Sequence, residues 1–278
     1  MKRSFKQVDV FSDQPCTGNP LAVVLDATGL DDAAMQQFAN WTNLSETTFL
    51  LPPTHPEADY HVRIFTASTE LPFAGHPTLG SCHAWIEAGG TPKLPDVIVQ
   101  ECGVGLVKIK PDAGRYAFAA PPRSRTGPLD DALLARLRNG FNLEPDDILG
   151  HEWLVNGPHW VGLRLKSAEQ VLAAKPNAEL LRDLAVGLVG PYPAGSPCAF
   201  ELRAFVVGDS VVEDPVTGSL NAAVAQWLIG TGLAPERYIA AQGTVLGRQG
   251  RIHVQRDTDG TLWIGGAAQT LIEGTANL

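Results

Sequence analysis

The sequence predicts a mixed chain of helices and strands folded as two similar halves, each a strongly curved sheet around one buried helix. Three observations carry this. Arg63-Ile64-Phe65 and Arg203-Ala204-Phe205 share Arg-x-Phe at an offset of 140. About ten residues after each comes a proline turn bearing threonine, Gly75-His76-Pro77-Thr78 and Asp214-Pro215-Val216-Thr217, followed by an apolar helix rich in small residues. Asn19-Pro20 and Gly157-Pro158 precede strands at an offset of 138. Three matches in register imply a repeat, with His76 matched to Asp214 and Thr78 to Thr217.

In chain order, Val8–Phe11 alternates and Pro20–Leu25 is a buried-strand run after the turn at Gly18-Asn19. Asp31–Trp41 has helical spacing, with Asp31 or Asp32 as its cap. Strand patterns follow at Thr47–Leu51, Tyr60–Phe65, Val97–Gln100, Leu106–Ile109 and Tyr116–Ala119. Pro77–Ala88 reads as a helix opened by proline and closed by Gly89-Gly90. Within it Leu79, Cys82, Trp85 and Ile86, with Ser, Ala and Gly between, leave almost no polar face, so the sheet must surround it. Pro121–Pro128 is the linker. Beyond it come helices at Asp130–Arg138 and Ala178–Ala185 and strands at Trp160–Leu165 and Arg203–Val207. A second apolar helix, Ser219–Ile229, precedes strands at Arg251–Gln255 and Leu262–Gly265.

Composition narrows the function. The 278 residues are 44% hydrophobic and only 18% charged, which fits a globule with a large buried fraction. A net charge of −9 with no basic cluster argues against nucleic acid or an acidic membrane as partner. No apolar run has the length of a membrane helix, and Met1–Gln7 leads into alternation without a signal-peptide core. Cys16, Cys82, Cys102 and Cys198 lack CxxC spacing and read as reduced thiols of a cytoplasmic protein. There is no GxSxG, HExxH or Walker loop, and Gly103-x-Gly105 lacks the third glycine of a dinucleotide site. His76 and His83 have no third ligand, so no metal is expected.

The polar constellation that remains is Glu46 in Asn43-Leu44-Ser45-Glu46-Thr47, His76, and Asp214 with Ser219 in Glu213-Asp214-Pro215-Val216-Thr217-Gly218-Ser219. Taken singly, Glu46 is a solvated acid at a strand start, His76 a turn residue and Asp214 a cap. Helix N-termini beside them suit a carboxylate-bearing ligand.

These stretches resemble the PhzF-like (phenazine biosynthesis) family, together with Gly18-Asn19-Pro20, Phe65-Thr66, Glu70-Leu71-Pro72-Phe73-Ala74, Gln242-Gly243, Gly247-Arg248 and Gly265-Gly266-Ala267. The resemblance runs from Val8 to about Gly274. It implies the α+β diaminopimelate epimerase-like fold: two pseudo-symmetric halves, each a curved, barrel-like sheet around a central helix. The halves are expected at residues 1–122, with a strand at about 265–278 returning to it, and 123–264. A cofactor-free, metal-free homodimer is expected. By resemblance Glu46 is the acid/base that moves a proton between carbons of a dihydro-aromatic amino acid, and His76, Asp214 and Ser219 match the other catalytic groups. Asn19, Ser45, Gly75, Pro77, Thr78, Thr217 and Gly218 lie in the same motifs and are expected to bind substrate. Related epimerases place a cysteine on each face of the substrate carbon. Here the corresponding turns carry Gly75 and Asp214, which disfavours a two-thiol racemase. Val216 and Leu220 depart from the commoner small residues and reshape the pocket.

The expected activity is therefore isomerisation of a small carboxylate-bearing metabolite, dihydro-aromatic or amino-acid-like. A glutamate in a partly desolvated cleft would serve both as base and, once protonated, as acid. The alternatives are a racemase, epimerase or dehydratase using Glu46 and Asp214, or a non-catalytic small-molecule binder.

Overall fold

The structure, a computed structural model, describes all residues except 209. It divides into two compact units, Met1–Ala119 with Gly265–Leu278, and Ala120–Ile264.

In the first unit the elements are β1 (Lys2–Val10), β2 (Asn19–Val24), α1 (Asp32–Thr42), β3 (Glu46–Leu51), β4 (Tyr60–Phe65), β5 (Glu70–Leu71), α2 (Gly75–Glu87), β6 (Ile98–Cys102), β7 (Gly105–Asp112) and β8 (Arg115–Ala119). The second unit supplies α3 (Asp131–Phe141), β9 (Ile148–Val155), β10 (His159–Leu165), α4 (Ala168–Ala173), α5 (Ala178–Leu181), β11 (Leu184–Pro191), β12 (Phe200–Val207), β13 (Val211–Asp214), α6 (Gly218–Gly230), β14 (Arg237–Gln242), β15 (Gly250–Arg256) and β16 (Leu262–Gly266). The chain ends in β17 (Ala268–Asn277), which pairs antiparallel with β1 in the first unit. No helix among the described residues is long and apolar enough to cross a membrane. All four cysteines are free, and only Cys16 is exposed.

The central helices are buried because their sequences offer no polar face. In α2 every residue from Gly75 to Cys82 is buried, and the helix packs against β1, β2, β3, β6, β8 and β17. Contact with so many strands requires the sheet to curl round it. In α6 eleven of the 13 residues are buried. Close approach depends on missing side chains. A Cβ on Gly80 would lie 2.6 Å from Leu21 Cδ2, and one on Gly187 would lie 2.4 Å from Leu220 Cδ1.

Strand register establishes the repeat. In the first unit Leu21 of β2 lies opposite Glu46 of the parallel β3, and Phe49 opposite Arg63 of the antiparallel β4. In the second, Trp160 of β10 lies opposite Ala185 of the parallel β11, and Leu188 opposite Arg203 of the antiparallel β12. The spacing is the same, so Glu46 corresponds to Ala185 and Arg63 to Arg203. Phe65 then pairs with Glu70, as Phe205 pairs with Glu213. Each arginine grips its glutamate with Nε and Nη2, at 2.8 and 2.6 Å for Arg63 and 2.9 and 2.8 Å for Arg203.

This register corrects the residue matching expected from a constant offset. The connection between Phe205 and Glu213 is three residues longer than that between Phe65 and Glu70. Each central helix starts five residues after its glutamate, at Gly75 and Gly218. The counterpart of His76 is therefore Ser219, not Asp214, and that of Thr78 is Asn221, not Thr217. One further expectation changes. Ala178–Ala185 is not a single helix, because α5 stops at Leu181, Asp183 adopts φ 62° and β11 begins at Leu184.

Candidate active site

Helix capping singles out the two central helices. Side chains of Asp31, Asp130, Ser167 and Asn177 accept backbone N–H groups at the starts of α1, α3, α4 and α5. Ala74 and Thr217, at the starts of α2 and α6, give no such bond. First-turn N–H groups have no intrahelical acceptor, so these two N-termini are suited to an anion.

In the first unit the structure brings Asn19, Glu46 and His76 together. Asn19 opens β2, Glu46 opens the neighbouring β3, and His76 is the second residue of α2. Asn19 Nδ2 lies 3.3 Å from His76 Nδ1, and Glu46 Oε2 lies 3.3 Å from His76 Nε2. His76 is 3% exposed, and burial pushes it down to about 3, so its ring is neutral. A neutral imidazole has one donor and one acceptor nitrogen. The amide nitrogen of Asn19 only donates, which makes Nδ1 the acceptor and puts the ring proton on Nε2, beside Glu46. The contact is therefore neutral ring to carboxyl group rather than an ion pair.

The neighbouring residues have different duties. Gly75 and Pro77 are buried in the first turn of α2, where proline's missing N–H costs nothing. Thr78 Oγ1 donates to Ala74 O at 2.9 Å and accepts from Gln100 Nε2 at 3.0 Å. Its hydroxyl thus serves the helix start. Ser45 is exposed in the turn before Glu46.

In the second unit the structure gathers Asp214, Thr217, Gly218 and Ser219. Thr217 Oγ1 donates to Asp214 Oδ2 at 2.6 Å and accepts from Gln242 Nε2 at 2.9 Å. The amide hydrogen of Gln242 thereby directs the Thr217 hydroxyl proton onto the carboxylate. Thr217 therefore holds Asp214. Gln242 Oε1 accepts from Thr217 N and Asn221 Nδ2, at 3.0 and 2.8 Å. Ser219 Oγ accepts from Trp160 Nε1 at 3.1 Å, and its carbonyl accepts from Asn156 Nδ2 at 2.8 Å. Sequence reasoning passed over Gln100, Gln242, Asn156 and Trp160 as site supports. Gln242 was noticed only through its glycine neighbour, and the others sit in or beside ordinary strands.

Residues 8–274 match the family described as phenazine biosynthesis-like protein. The chain is 35% identical to antisense-enhancing sequence 1 of Schizosaccharomyces pombe, over 98% of each chain. It is 30% identical, over 98% of each, to the trans-2,3-dihydro-3-hydroxyanthranilate isomerase of Pseudomonas aeruginosa. Among solved structures, a predicted epimerase from Pseudomonas aeruginosa superposes with a TM-score of 0.81 at 31% identity, over 99% of both chains. With uncapped helix N-termini, a carboxyl group against a neutral histidine and these relatives, the chain belongs to the phenazine biosynthesis-like (PhzF) family and is an isomerase of the epimerase fold.

Proposed function

We propose that this isomerase moves a proton between two carbons of a small carboxylate-bearing metabolite, dihydro-aromatic or amino-acid-like, with Glu46 as acid/base and no cofactor. The placement of Glu46 against the protonated nitrogen of a neutral His76 is the observation that supports this most directly. Glu46 takes a proton from an sp³ carbon, and the C–H electron pair enters the adjoining conjugated system. The carboxylic acid so formed returns the proton at another carbon, regenerating the carboxylate. No electron or heavy atom leaves, so no redox group is needed. The N–H groups opening α2, beside Glu46 and His76, would hold the substrate carboxylate. A two-thiol racemase gains no support, because Gly75 and Gly218 open the helices and burial pushes the Cys82 thiol far up.

The decisive experiment offers trans-2,3-dihydro-3-hydroxyanthranilate, the substrate named for the Pseudomonas relative, in deuterated water. Wild type should place deuterium on carbon in the product, and Glu46→Gln should not. Binding without exchange would favour a non-catalytic binder, and inversion at one carbon would favour a racemase. The proposed assembly is a homodimer, for which sedimentation at twice the chain mass is the check.

A further inference from the structure

The His76 ring has a polar partner at each nitrogen. Asn19, the first residue of β2, brings Nδ2 to 3.3 Å from His76 Nδ1, and Glu46, the first residue of β3, brings Oε2 to 3.3 Å from Nε2. Asn19 has no exposed surface, whereas the Glu46 side chain is 15% exposed. Glu46 can therefore meet a substrate, while Asn19 acts only through the groups it touches.

The single proton of the neutral ring can sit on either nitrogen, and the choice decides what Glu46 meets. With the proton on Nε2, the carboxylate faces a donor, which favours its ionised form. With the proton on Nδ1, a bare nitrogen lone pair lies 3.3 Å from Oε2 and favours the carboxylic acid, whose hydroxyl would donate to it. Only the ionised form can take a proton from carbon. An amide nitrogen at Nδ1 selects the first arrangement, because it supplies hydrogens and accepts none. Turning the amide over would place its oxygen there, draw the proton to Nδ1 and leave Nε2 bare toward the carboxylate. The charged neighbour on β1, Asp9, is engaged with the N–H groups of Thr17 and Gly18. The second unit is built alike: Trp160 Nε1 of β10 donates to the Oγ of Ser219, the counterpart of His76.

We infer that Asn19 is a positioning residue that fixes the His76 tautomer, keeping the ring proton on Nε2 so that Glu46 rests as the carboxylate that opens the reaction. The inference rests on Glu46 as the acid/base proposed above and gives Asn19 a role without substrate contact. A neutral ring donor pulls on Glu46 less than a cation would, so the proton that Glu46 takes can be given back.

Nitrogen NMR of enzyme carrying isotope-labelled histidine, with His76→Gln identifying the signals, reads the tautomer directly. At pH 7 wild type should show His76 with Nε2 protonated and Nδ1 bare. Glu46→Gln removes the carboxylate's own pull on the ring, and Nδ1 should stay bare there. Adding Asn19→Asp to Glu46→Gln keeps the shape but exchanges the donor for an acceptor, and Nδ1 should then carry a proton. Asn19→Leu with Glu46 intact should raise the acidic limb of turnover on trans-2,3-dihydro-3-hydroxyanthranilate by about one pH unit, a tenfold weaker preference for the carboxylate. A packing role alone would move neither readout. A wild-type ring protonated on Nδ1, an Nδ1 that stays bare in the folded double variant, or an unmoved limb in an active Asn19→Leu enzyme would overturn the inference. The wild-type spectrum decides it if the variants do not fold. Failure of the catalytic reading looks different: a fully active Glu46→Gln enzyme whose His76 spectra come out as expected would remove Glu46 from the chemistry and leave the tautomer assignment standing.

Discussion

Glu46 and Ala185 occupy the same register position in the two units, the first opposite Leu21 and the second opposite Trp160. A carboxyl group in one half therefore corresponds to a methyl group in the other. The helix starts are unequal in the same way, with neutral His76 answered by the Ser219 hydroxyl. The proposed use of a single carboxyl group to remove and return the proton fits this asymmetry.

Glu46→Gln keeps the shape and loses the exchangeable proton. Turnover should fall at least about a hundredfold, within the usual range for general acid/base catalysis. Unfolding midpoints should be unchanged and benzoate affinity altered by less than about tenfold, since the N–H groups opening α2 would carry the carboxylate. Steady-state kinetics beside denaturant melts and titration separate these effects.

His76 gives a pH signature. Burial holds it at about 3 in the folded state, against about 6.5 unfolded. Between those values the unfolded chain binds the additional proton, so stability is retained above about pH 6.5 and declines as pH falls toward 3. The other six of the seven histidines are common to wild type and His76→Gln. Urea midpoints measured at pH 7 and pH 5 should therefore drop further for wild type than for the variant.

Gln242 is fully buried and makes four hydrogen bonds, two accepted and two donated. Gln242→Leu would strand polar groups of Asp214, Thr217 and Asn221 in the interior. A loss of more than about 2 kcal/mol is expected, because each buried group without a partner costs about 1–3 kcal/mol. Chemical denaturation measures it. Turnover below the melting point should fall too, as Thr217 loses the donor that directs its hydroxyl to Asp214.

The two arginine–glutamate clasps should differ in strength despite their shared geometry. Arg203 has a 5% exposed side chain and also donates to the carbonyls of Val171, Leu172 and Ala174. Arg63 is 20% exposed and its second partner, Asp32, is 82% exposed. Arg203→Met, which strips the 12% exposed Glu213 side chain of its partner and frees the three carbonyls, should cost about 3 kcal/mol. Arg63→Met should cost under about 1 kcal/mol. Equal losses in denaturant melts would mean that burial does not set the strength of the clasp.

The sequence was most readable where local chemistry decides structure. The all-apolar runs of α2 and α6, the Asp31 cap and the Arg-x-Phe strands could be placed without coordinates. Reading failed where a distant partner decides. The alanine- and leucine-rich stretch around Ala178 has helical composition, yet Asp183 turns left-handed and Leu184 joins a sheet whose other strands come from elsewhere in the chain. The longer connection between Phe205 and Glu213 was invisible to a constant offset, so His76 was matched to Asp214. Glu46 and His76, which lie 3.3 Å apart, were singled out through motif resemblance. The acceptors of the Thr78 and Thr217 hydroxyls, Ala74 O and Asp214 Oδ2, could not be read from the sequence, because a hydroxyl in a motif does not reveal which acceptor it takes.

The first unit is bipartite in the chain: β1 needs β17, and the whole second unit lies between them in sequence. On a ribosome, residues of the second unit emerge as one uninterrupted stretch and have all their own strands at hand. The first unit must wait, its β1 flank uncovered, until the final strand is made. Timing of assembly is thereby ordered by connectivity, with the unit that holds Asn19, Glu46 and His76 completed after β17 is made.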